Sequence, residues 1–419
     1  PDSARSSGHH DRSSGTYASG KSSGSVQRSA FLLEHSTSAQ LADLYEVEQK
    51  PLGAGGFGTV RRAWLRGAPE ALRAVKSIKT RTAAAERSVR QEVAVLKKLD
   101  HPHICRLFET FQANGCVYLV MEYVDGVELF EYIQQVFESS DRQDEGLAAR
   151  ILRQLFGALA YCHGHGVVHR DLKPENVMVQ RPRAGMPQDQ VEIRLIDFGL
   201  AITFGPGDRP ATRLGAAGTA VYSAPEARVG LAVSPASDMW SAGVVMHAML
   251  LGFLPTDEVR CGEEPLETTT EEYTEVSTEA RQLLAELLKV DPDRRITAAA
   301  AASSPWAAAS AAAHAAVRVG RRRELVASFS AFHKGSVLQR AMLTALAGQL
   351  ATERFSDLRE QFLEVDQDRN GRISKEELAM SLRARGGGPT GDIATWIDSV
   401  FDSLDTDGSQ ELEYTEWLA

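Results

Sequence analysis

Cysteine is scarce in this chain of 419 residues. The four cysteines are Cys105, Cys116, Cys162 and Cys261, and their spacing gives neither a zinc-binding pattern nor a disulfide framework. The scarcity excludes the class of small, disulfide-stapled domains. We therefore expect a protein of a reducing compartment and predict a cytoplasmic location.

Long apolar runs and an excess of positive charge are also missing. No run of about 18 apolar residues occurs, which predicts that the chain has no transmembrane segment. The net charge of −10 argues against nucleic acid as a main partner. The chain begins at Pro1 rather than at methionine, so we interpret it as a fragment without its native N-terminus, from which neither a signal peptide nor a lipidation site can be judged.

Apolar residues are almost absent from positions 1–30, which are rich in serine, glycine and histidine. A segment of this composition cannot bury a core, so it predicts a flexible tail. Residues 31–44, which open with Phe31-Leu32-Leu33, form a predicted lead-in to the folded body.

The stretch 168–176 reads Val-His-Arg-Asp-Leu-Lys-Pro-Glu-Asn. Asp171 can accept a proton from a hydroxyl, Lys173 can reach a transferring phosphoryl group, and Asn176 can hold a metal ion. The pattern H-R-D-x-K-x-x-N is typical of the catalytic loop of protein kinases. The alternative is a polar turn after an apolar strand, which becomes improbable only when the other kinase motifs occur in order.

A glycine-rich stretch at 52–60 precedes that loop and reads Leu-Gly-Ala-Gly-Gly-Phe-Gly-Thr-Val. Glycine here lets backbone N–H groups approach phosphate oxygens. Dinucleotide-binding folds share G-x-G-x-x-G, but there it opens a helix. The residues that follow it here are β-prone, which favours a hairpin folded over a nucleotide. Lys76 in the next strand is the candidate for pairing with phosphates, and Glu92, in a helix predicted from Glu86 to Leu99, is its candidate partner.

A buried strand at 117–121 runs into the glycine-containing linker 122–128, a pattern typical of a hinge between two lobes. Backbone groups of the linker can pair with an adenine edge, and Val60, Ala74 and Met178 can supply apolar faces for the ring. Glu128 can bind ribose or a basic residue of a substrate.

Two further motifs follow the catalytic loop. Asp197-Phe198-Gly199 comes after an apolar strand, where aspartate can chelate a metal that bridges phosphates. The activation segment then ends in Ala224-Pro225-Glu226. Asp238 is predicted to brace the catalytic loop, and Arg295 is predicted to form a structural ion pair with Glu226.

Over about Tyr45 to Trp306 the chain resembles the eukaryotic protein kinases, and Lys173 resembles their serine/threonine branch. The resemblance implies an α+β, bilobal fold with a β-rich N-lobe and a helical C-lobe, and it implies ATP and Mg²⁺ as cofactors. The catalytic residues it implies are Lys76, Glu92, Asp171, Lys173, Asn176 and Asp197, with Asn176 and Asp197 as the Mg²⁺ ligands. The ATP-binding residues it implies are Leu52, Gly53, Gly55, Gly58, Val60, Ala74, Lys76, Met121, Glu122, Tyr123, Val124, Glu128 and Met178.

The chain departs from this family after Pro255. A short, acidic and threonine-rich stretch, 263–275, stands where such kinases carry a longer helical segment that supports substrate docking.

Two twelve-residue loops near the end have the oxygen-rich spacing of EF-hands, starting at Asp366 and Asp405. Their candidate calcium ligands are Asp366, Asp368, Asn370, Arg372 and Glu377 in the first loop, and Asp405, Asp407, Ser409, Glu411 and Glu416 in the second. Ile373 and Leu412 are predicted to form the short strand pair between the loops. Gln410 stands at the sixth position, where glycine is expected; a non-glycine residue with positive φ costs roughly 1 kcal/mol there, which predicts about tenfold weaker calcium binding.

An arginine cluster at 318–323 is followed by apolar residues at helical spacing up to Leu346. The pattern resembles a calmodulin-target helix, and the alternative is a plain connecting helix on the EF-hands. We expect this junction, 318–346, to block the substrate cleft at low calcium and to be captured by the EF-hands at high calcium, an intramolecular partnership.

Kinase motifs, basic–apolar junction and fused EF-hands together resemble the calcium-dependent protein kinases of plants and protists. Those usually carry four EF-hands, whereas this chain has two. The domains implied are the tail 1–30, the lead-in 31–44, a kinase domain 45–306, an alanine-rich linker and junction 307–350, and paired all-α EF-hands 351–419. The resemblance implies calcium-regulated transfer of the ATP γ-phosphoryl group to serine or threonine hydroxyls of protein substrates, with basic residues before the acceptor. The alternatives are a calcium-binding pseudokinase scaffold and a kinase driven by separate calmodulin.

Overall fold

The computed structural model describes residues 33–35, 38–55, 58–139, 144–180, 191–205, 218–228, 233–312, 343, 347, 356–384 and 393–418. They form a β-rich lobe, a helical lobe and an EF-hand pair, so the predicted α+β, bilobal fold class is confirmed. No helix among these residues is both long and apolar enough to cross a membrane.

The N-lobe is built on a six-stranded sheet in the order β1-β5-β6-β4-β3-β2. Its strands are β1 (Leu33–His35), β2 (Tyr45–Gly55), β3 (Gly58–Leu65), β4 (Ala68–Lys79), β5 (Leu107–Ala113) and β6 (Cys116–Glu122). Strand β1 pairs in parallel with β5, and the other neighbours are antiparallel. Part of the lead-in therefore covers the edge of β5, where unpaired backbone groups would otherwise face solvent.

Two helices, α1 (Ser38–Leu44) and α2 (Ala83–Lys98), belong to the same lobe. Helix α2 begins three residues before the predicted start at Glu86. Thr82 caps it by accepting a hydrogen bond from the Ala85 N–H at 3.2 Å, and the alanines that follow have the highest helix propensity. The buried face of α2 includes Val89, Val95 and Leu96, together with the carboxylate of Glu92.

The C-lobe is mainly helical. Its helices are α3 (Leu129–Ser139), α4 (Glu145–Gly164), α5 (Pro225–Arg228), α6 (Pro235–Leu251), α7 (Asp257–Cys261), α8 (Thr278–Leu287), α9 (Ala298–Ala302) and α10 (Pro305–Ala312). Its short strands are β7 (Gly126–Glu128), β8 (Val167–Val168), β9 (Val177–Gln180), β10 (Glu192–Leu195) and β11 (Ile202–Thr203). Helix α6 is buried on nearly all sides, which explains why its sequence is apolar around the whole helix.

The shortened segment after Pro255 folds into the five-residue α7 and a 3-10 turn, Glu271–Tyr273. Tyr273 is fully buried, and its hydroxyl lies 2.8 Å from His247 Nε2 on α6. The side chain of Tyr273 thus attaches the acidic stretch to the core of the C-lobe.

The EF-hand pair consists of α11 (Ser356–Val365), β12 (Ile373–Ser374), α12 (Lys375–Ala384), α13 (Ile393–Leu404), β13 (Glu411–Leu412) and α14 (Tyr414–Leu418). Ile373 lies opposite Leu412 in the antiparallel strand pair, as predicted. The pair has its own core, which includes Phe362, Phe401 and Trp417.

The EF-hand pair packs against the kinase domain through its calcium-loop side. The Thr415 N–H donates to Asp100 Oδ2 at 2.7 Å, and Arg372 contacts His165. Arg106 of the kinase domain donates to the carbonyl of Ala347, a residue buried in the EF-hand core, at 2.9 Å. The junction predicted at 318–346 lies outside the described residues except for Leu343, so its proposed role stays a prediction.

Candidate active site and calcium loops

Lys76 stands between two carboxylates in the cleft. Its Nζ lies 2.6 Å from Glu92 Oε1 on α2 and 2.7 Å from Asp197 Oδ1. Burial opposes the charge on Lys76, but the two carboxylates outweigh it and raise its pKa. Burial likewise disfavours the Asp197 carboxylate, yet Lys76 more than compensates and lowers its pKa. Lys76 and Asp197 are therefore charged at neutral pH, while burial raises the pKa of Glu92.

Helix α2 is held in this position by the start of the activation segment. Gln91 Nε2 donates to the carbonyl of Ala201 at 2.7 Å. Phe198 is fully buried, and its ring packs edge-on against His169 of the catalytic loop with centroids 4.9 Å apart. These contacts join helix α2 of the N-lobe to the segment that follows Asp197 and join that segment to the catalytic loop.

The catalytic loop is braced by Asp238, as predicted. Its carboxylate accepts hydrogen bonds from the backbone N–H groups of His169 and Arg170, both at 2.9 Å. Arg170 has a φ of 69° and Asp197 a φ of 60°, a left-handed conformation that costs a non-glycine residue of order 1 kcal/mol or more. The hydrogen bonds to Asp238 hold the strained backbone of Arg170, the residue before Asp171, in place.

Asp171 is nearly buried and is surrounded by polar groups. Lys173 Nζ lies 3.0 Å from its Oδ2, and Asn176 Nδ2 donates to its carbonyl at 2.7 Å and to Oδ2 at 3.2 Å. The backbone N–H and hydroxyl of Thr219 donate to Oδ1 at 2.9 and 3.1 Å, and Lys173 donates to the same hydroxyl at 2.9 Å. The contact of Thr219 with Asp171 was not predicted, because 48 residues separate the two.

The segments that carry Asp171 and Asp197 are joined directly. The Ile196 N–H donates to the carbonyl of Asn176 at 2.9 Å, and His169 Nε2 lies 3.1 Å from the carbonyl of Ile196. Asp197 and Asn176 offer a carboxylate and an amide oxygen, the hard donors that Mg²⁺ prefers. Both hydrogen bonds that the Asn176 side chain makes to the described residues use its nitrogen, so its amide oxygen can bind a ligand.

The predicted nucleotide-binding residues lie on strands of both lobes around this centre. The glycine loop forms the expected hairpin, with Gly53 opposite Val60 and Gly55 opposite Gly58. Ala74 on β4 lies opposite Arg62 on β3, and Met121 on β6 lies opposite Ala74. Met178 on β9 lies opposite Glu128 on β7. Leu52 is half exposed, and Tyr123 and Val124 continue from β6 into the linker.

The side chain of Glu122 does not face the nucleotide side of the linker. Its Oε1 lies 3.0 Å from Arg194 Nε on β10, and its Oε2 accepts a hydrogen bond from the Arg106 N–H at 3.4 Å. The predicted contribution of Glu122 to adenine binding is thus limited to its backbone. The ion pair with Arg194 was not predicted, since 72 residues separate the two side chains.

Glu128 lies in an acidic neighbourhood at the outer end of the linker. Burial, followed by repulsion from Glu175 and Glu131, raises its pKa. Glu175 Oε2 is buried and has no hydrogen-bond partner among the described residues. A cation placed here would relieve both carboxylates.

Calcium loop one brings Asp366, Asp368 and Glu377 together, with one oxygen from each within 4.8 Å of the others. Asp366 Oδ1 is buried and lacks a hydrogen-bond partner among the described residues. Burial and the neighbouring carboxylates raise the pKa of Asp366 to about 8. A divalent cation would supply the missing partner, so these residues fit calcium.

Calcium loop two gathers Asp405, Asp407 and Glu416 in the same way. Gln410 at its sixth position has a φ of 68°, close to the 78° of Gly371 in loop one. The left-handed backbone that the EF-hand loop requires is thus present at a residue that pays for it in strain.

The seventh positions of the two loops contact each other. The side chain of Arg372 pairs with Glu411 and reaches His165 of the kinase domain. Position seven of an EF-hand binds calcium through its backbone carbonyl, so these side chains remain available for such contacts. The Glu411 carbonyl accepts a hydrogen bond from the Ser409 hydroxyl at 2.7 Å.

The fold and these two sites define a protein kinase domain followed by an EF-hand pair. The protein kinase domain family matches residues 45–307, and the EF-hand domain pair family matches residues 355–419. Calcium-dependent protein kinase 3 of Plasmodium yoelii yoelii is 30% identical over 403 residues, which cover 94% of this chain and 70% of that protein. Calcium-dependent protein kinase 9 of Oryza sativa subsp. japonica is 32% identical over 399 residues, which cover 93% of this chain and 66% of that protein.

The chain belongs to the calcium-dependent protein kinase family. Calcium-dependent protein kinase 5 of Plasmodium berghei is also similar, with 28% identity over 389 residues that cover 90% of this chain and 66% of that protein. The chain spans about two thirds of the length of these curated relatives.

Proposed function

We propose that this chain is a calcium-regulated kinase that transfers the γ-phosphoryl group of ATP to serine or threonine hydroxyls of proteins. The observation that carries the proposal is the buried contact of Lys76 with both Glu92 and Asp197, beside a braced Asp171. A pseudokinase scaffold has no need to maintain this arrangement against its desolvation cost.

Each charged group has a role in this proposal. Lys76, oriented by Glu92, aligns the phosphates of ATP. Asp197 and Asn176 would hold Mg²⁺, which neutralises charge that develops on the phosphates. Asp171 accepts the proton of the substrate hydroxyl, and Lys173, 3.0 Å from it, offsets charge on the transferred group. Catalysis is then mainly positioning and electrostatic stabilisation.

The nucleotide lies, in this proposal, under the glycine hairpin. The backbone of the linker from Glu122 to Val124 pairs with the adenine edge, and Val60, Ala74 and Met178 contact its faces. Support comes from the strand positions of these residues on the two lobes.

The substrate class follows from the acidic neighbourhood of Glu128 and Glu175. We propose a preference for arginine before the acceptor residue, because a guanidinium would give the buried Glu175 oxygen its partner and offset the repulsion felt by Glu128. A peptide array that varies those positions should show the preference in the wild type and lose it in Glu175→Gln. An array without an arginine preference would refute the substrate class alone.

Calcium regulation is proposed to act through the EF-hand pair and residues 318–346. At low calcium the junction blocks the substrate cleft, and at high calcium the EF-hand pair captures it. Deletion of 318–419 should give activity that is independent of calcium. Loss of all activity in that variant would count against simple autoinhibition.

A phosphoryl-transfer assay with radiolabelled ATP, with and without calcium, tests the proposed function. Wild type should transfer phosphate only with calcium, and Asp171→Asn should abolish transfer while it preserves shape. Asp293→Asn, an exposed aspartate in the C-lobe, is the matched control and should retain activity. Calcium binding without transfer would favour the scaffold, and a requirement for added calmodulin would favour the separately driven kinase.

A cytoplasmic location stays a proposal, supported by four cysteines that are all free.

A further inference from the structure

A line of charged side chains runs from the EF-hand pair to the hinge of the kinase domain. Arg359 on α11 is 1% exposed and pairs with Glu192, the first residue of β10. Two residues further, Arg194 lies with its Nη2 3.8 Å from Glu192 Oε2 and its Nε 3.0 Å from Glu122 Oε1. Four charges of alternating sign thus connect the helix that enters calcium loop one to the first residue of the hinge.

Glu122 depends on this line for its position. It ends β6 and begins the linker, and its carboxylate is 8% exposed. A buried carboxylate is costly unless charged or polar groups surround it. The Arg194 guanidinium and the Arg106 N–H both contact this one, and Arg73, opposite Glu122 on β4, adds a further attraction. Loss of the Arg194 contact would therefore weaken the hold on the residue whose backbone presents the first adenine-binding groups.

Arg194 is shared between two carboxylates. Glu122 and Glu192 both lie within 4.0 Å of it, and Arg359 is the cation on the far side of Glu192. While Arg359 pairs with Glu192, it weakens the attraction of Glu192 for Arg194. If the EF-hand pair undocked, Arg359 would leave with it, and Glu192 would compete for Arg194 without a cation on its far side.

We propose that Arg359 is a positioning residue for nucleotide binding. When the EF-hand pair is docked, Arg359 pairs with Glu192, so that Arg194 remains paired with Glu122, and the affinity of the cleft for ATP is higher. The inference deepens the proposed function, since it assumes that the hinge binds adenine. It assigns the EF-hand pair a second effect on the kinase domain, on nucleotide affinity rather than on access of the protein substrate.

The test measures binding of MgADP by calorimetry to the full chain in saturating calcium, together with kcat and KM for ATP. Arg359→Gln should weaken MgADP binding about fivefold, at the lower end of coupling between two protein sites. Glu192→Gln should bind as wild type does. The double variant Arg359→Gln/Glu192→Gln should recover wild-type affinity, because no charge then competes for Arg194. The KM for ATP should follow the affinity, while kcat stays unchanged.

Two control variants accompany these. Arg383→Gln removes an exposed arginine from the same EF-hand pair and should leave MgADP affinity unchanged. Arg359→Lys keeps the charge beside Glu192 and should retain most of the affinity.

A double variant that binds MgADP as weakly as Arg359→Gln would overturn the proposal, because general loss of docking or folding would explain that result. Unchanged affinity in Arg359→Gln would overturn it as well. If the wild type binds MgADP but transfers no phosphate, the proposed function is wrong. The MgADP affinities of the variants still test whether Arg359 affects nucleotide binding.

Discussion

The contact of calcium loop one with the kinase domain leads to a specific prediction for Gly371. This glycine has a φ of +78°, and a Cβ there would lie 2.3 Å from Tyr161 Cδ2 and 2.6 Å from His101 Cδ2. Both rings are buried and hydrogen bonded, since the Tyr161 hydroxyl accepts from the Asp100 N–H at 3.1 Å and His101 Nδ1 accepts from the His103 N–H at 3.1 Å. Neither ring can move without loss of a buried hydrogen bond.

Gly371→Ala therefore acts in two ways. The left-handed backbone costs alanine roughly 1–2 kcal/mol, which falls on the loop itself. Overpacking against the two rings costs about 1–3 kcal/mol more, which falls on the docked state alone. The second cost corresponds to a docking equilibrium weakened about 5- to 150-fold.

Gly408→Ala provides the matched control, because Gly408 has a φ of +73° in loop two and a Cβ there would meet nothing within 4 Å. Both variants carry similar backbone strain, and only Gly371→Ala clashes with the kinase domain. Amide hydrogen exchange in saturating calcium, at residues 100–106 and 161–165, should rise in Gly371→Ala and stay at the wild-type level in Gly408→Ala. Equal exchange in the two variants would refute the reasoning, since strain alone would then account for the effect.

Three further predictions concern the braced loop and the calcium sites. Asp238→Asn replaces one of the two carboxylate oxygens by an NH2 group, so one of the two backbone N–H groups loses its acceptor, which should lower stability by about 1–3 kcal/mol, seen as a lower Tm, together with a lower kcat; an unchanged Tm would contradict the bracing role. Gln410→Gly removes left-handed strain of roughly 1 kcal/mol, so calorimetry should show calcium binding to loop two tightened by up to about tenfold; unchanged affinity would mean that the strain is equal with and without calcium. Burial first, and then nearby carboxylates, raise the pKa of Asp366 to about 8, and burial raises that of Glu416 to about 7. Without calcium, these carboxylates therefore keep protons at neutral pH, and calcium must displace them. Calcium affinity should rise from about pH 6 to pH 8, and binding should release protons. Calorimetry in buffers of different ionisation enthalpy measures this release, and the absence of release would contradict the assignment.

Local patterns were sufficient for much of the site. Glycine spacing, the Asp171 loop, Asp197 and the two calcium loops each place their chemistry within a dozen residues, so their backbone geometry is set by near neighbours. Even the strained position of Gln410 could be predicted, because the EF-hand loop requires a positive φ at that point whatever surrounds it.

The sequence by itself determined which groups carry chemistry, namely the charged side chains of the cleft and the ligands of the calcium loops. It also determined the order of the two domains. Only the tertiary structure decided which distant residues serve them. Thr219 reaches Asp171 across 48 residues, Arg194 reaches Glu122 across 72, and Arg359 reaches Glu192 across 167. The physical reason is that buried charges take partners from whatever segment packing brings to them, and no local periodicity encodes that choice.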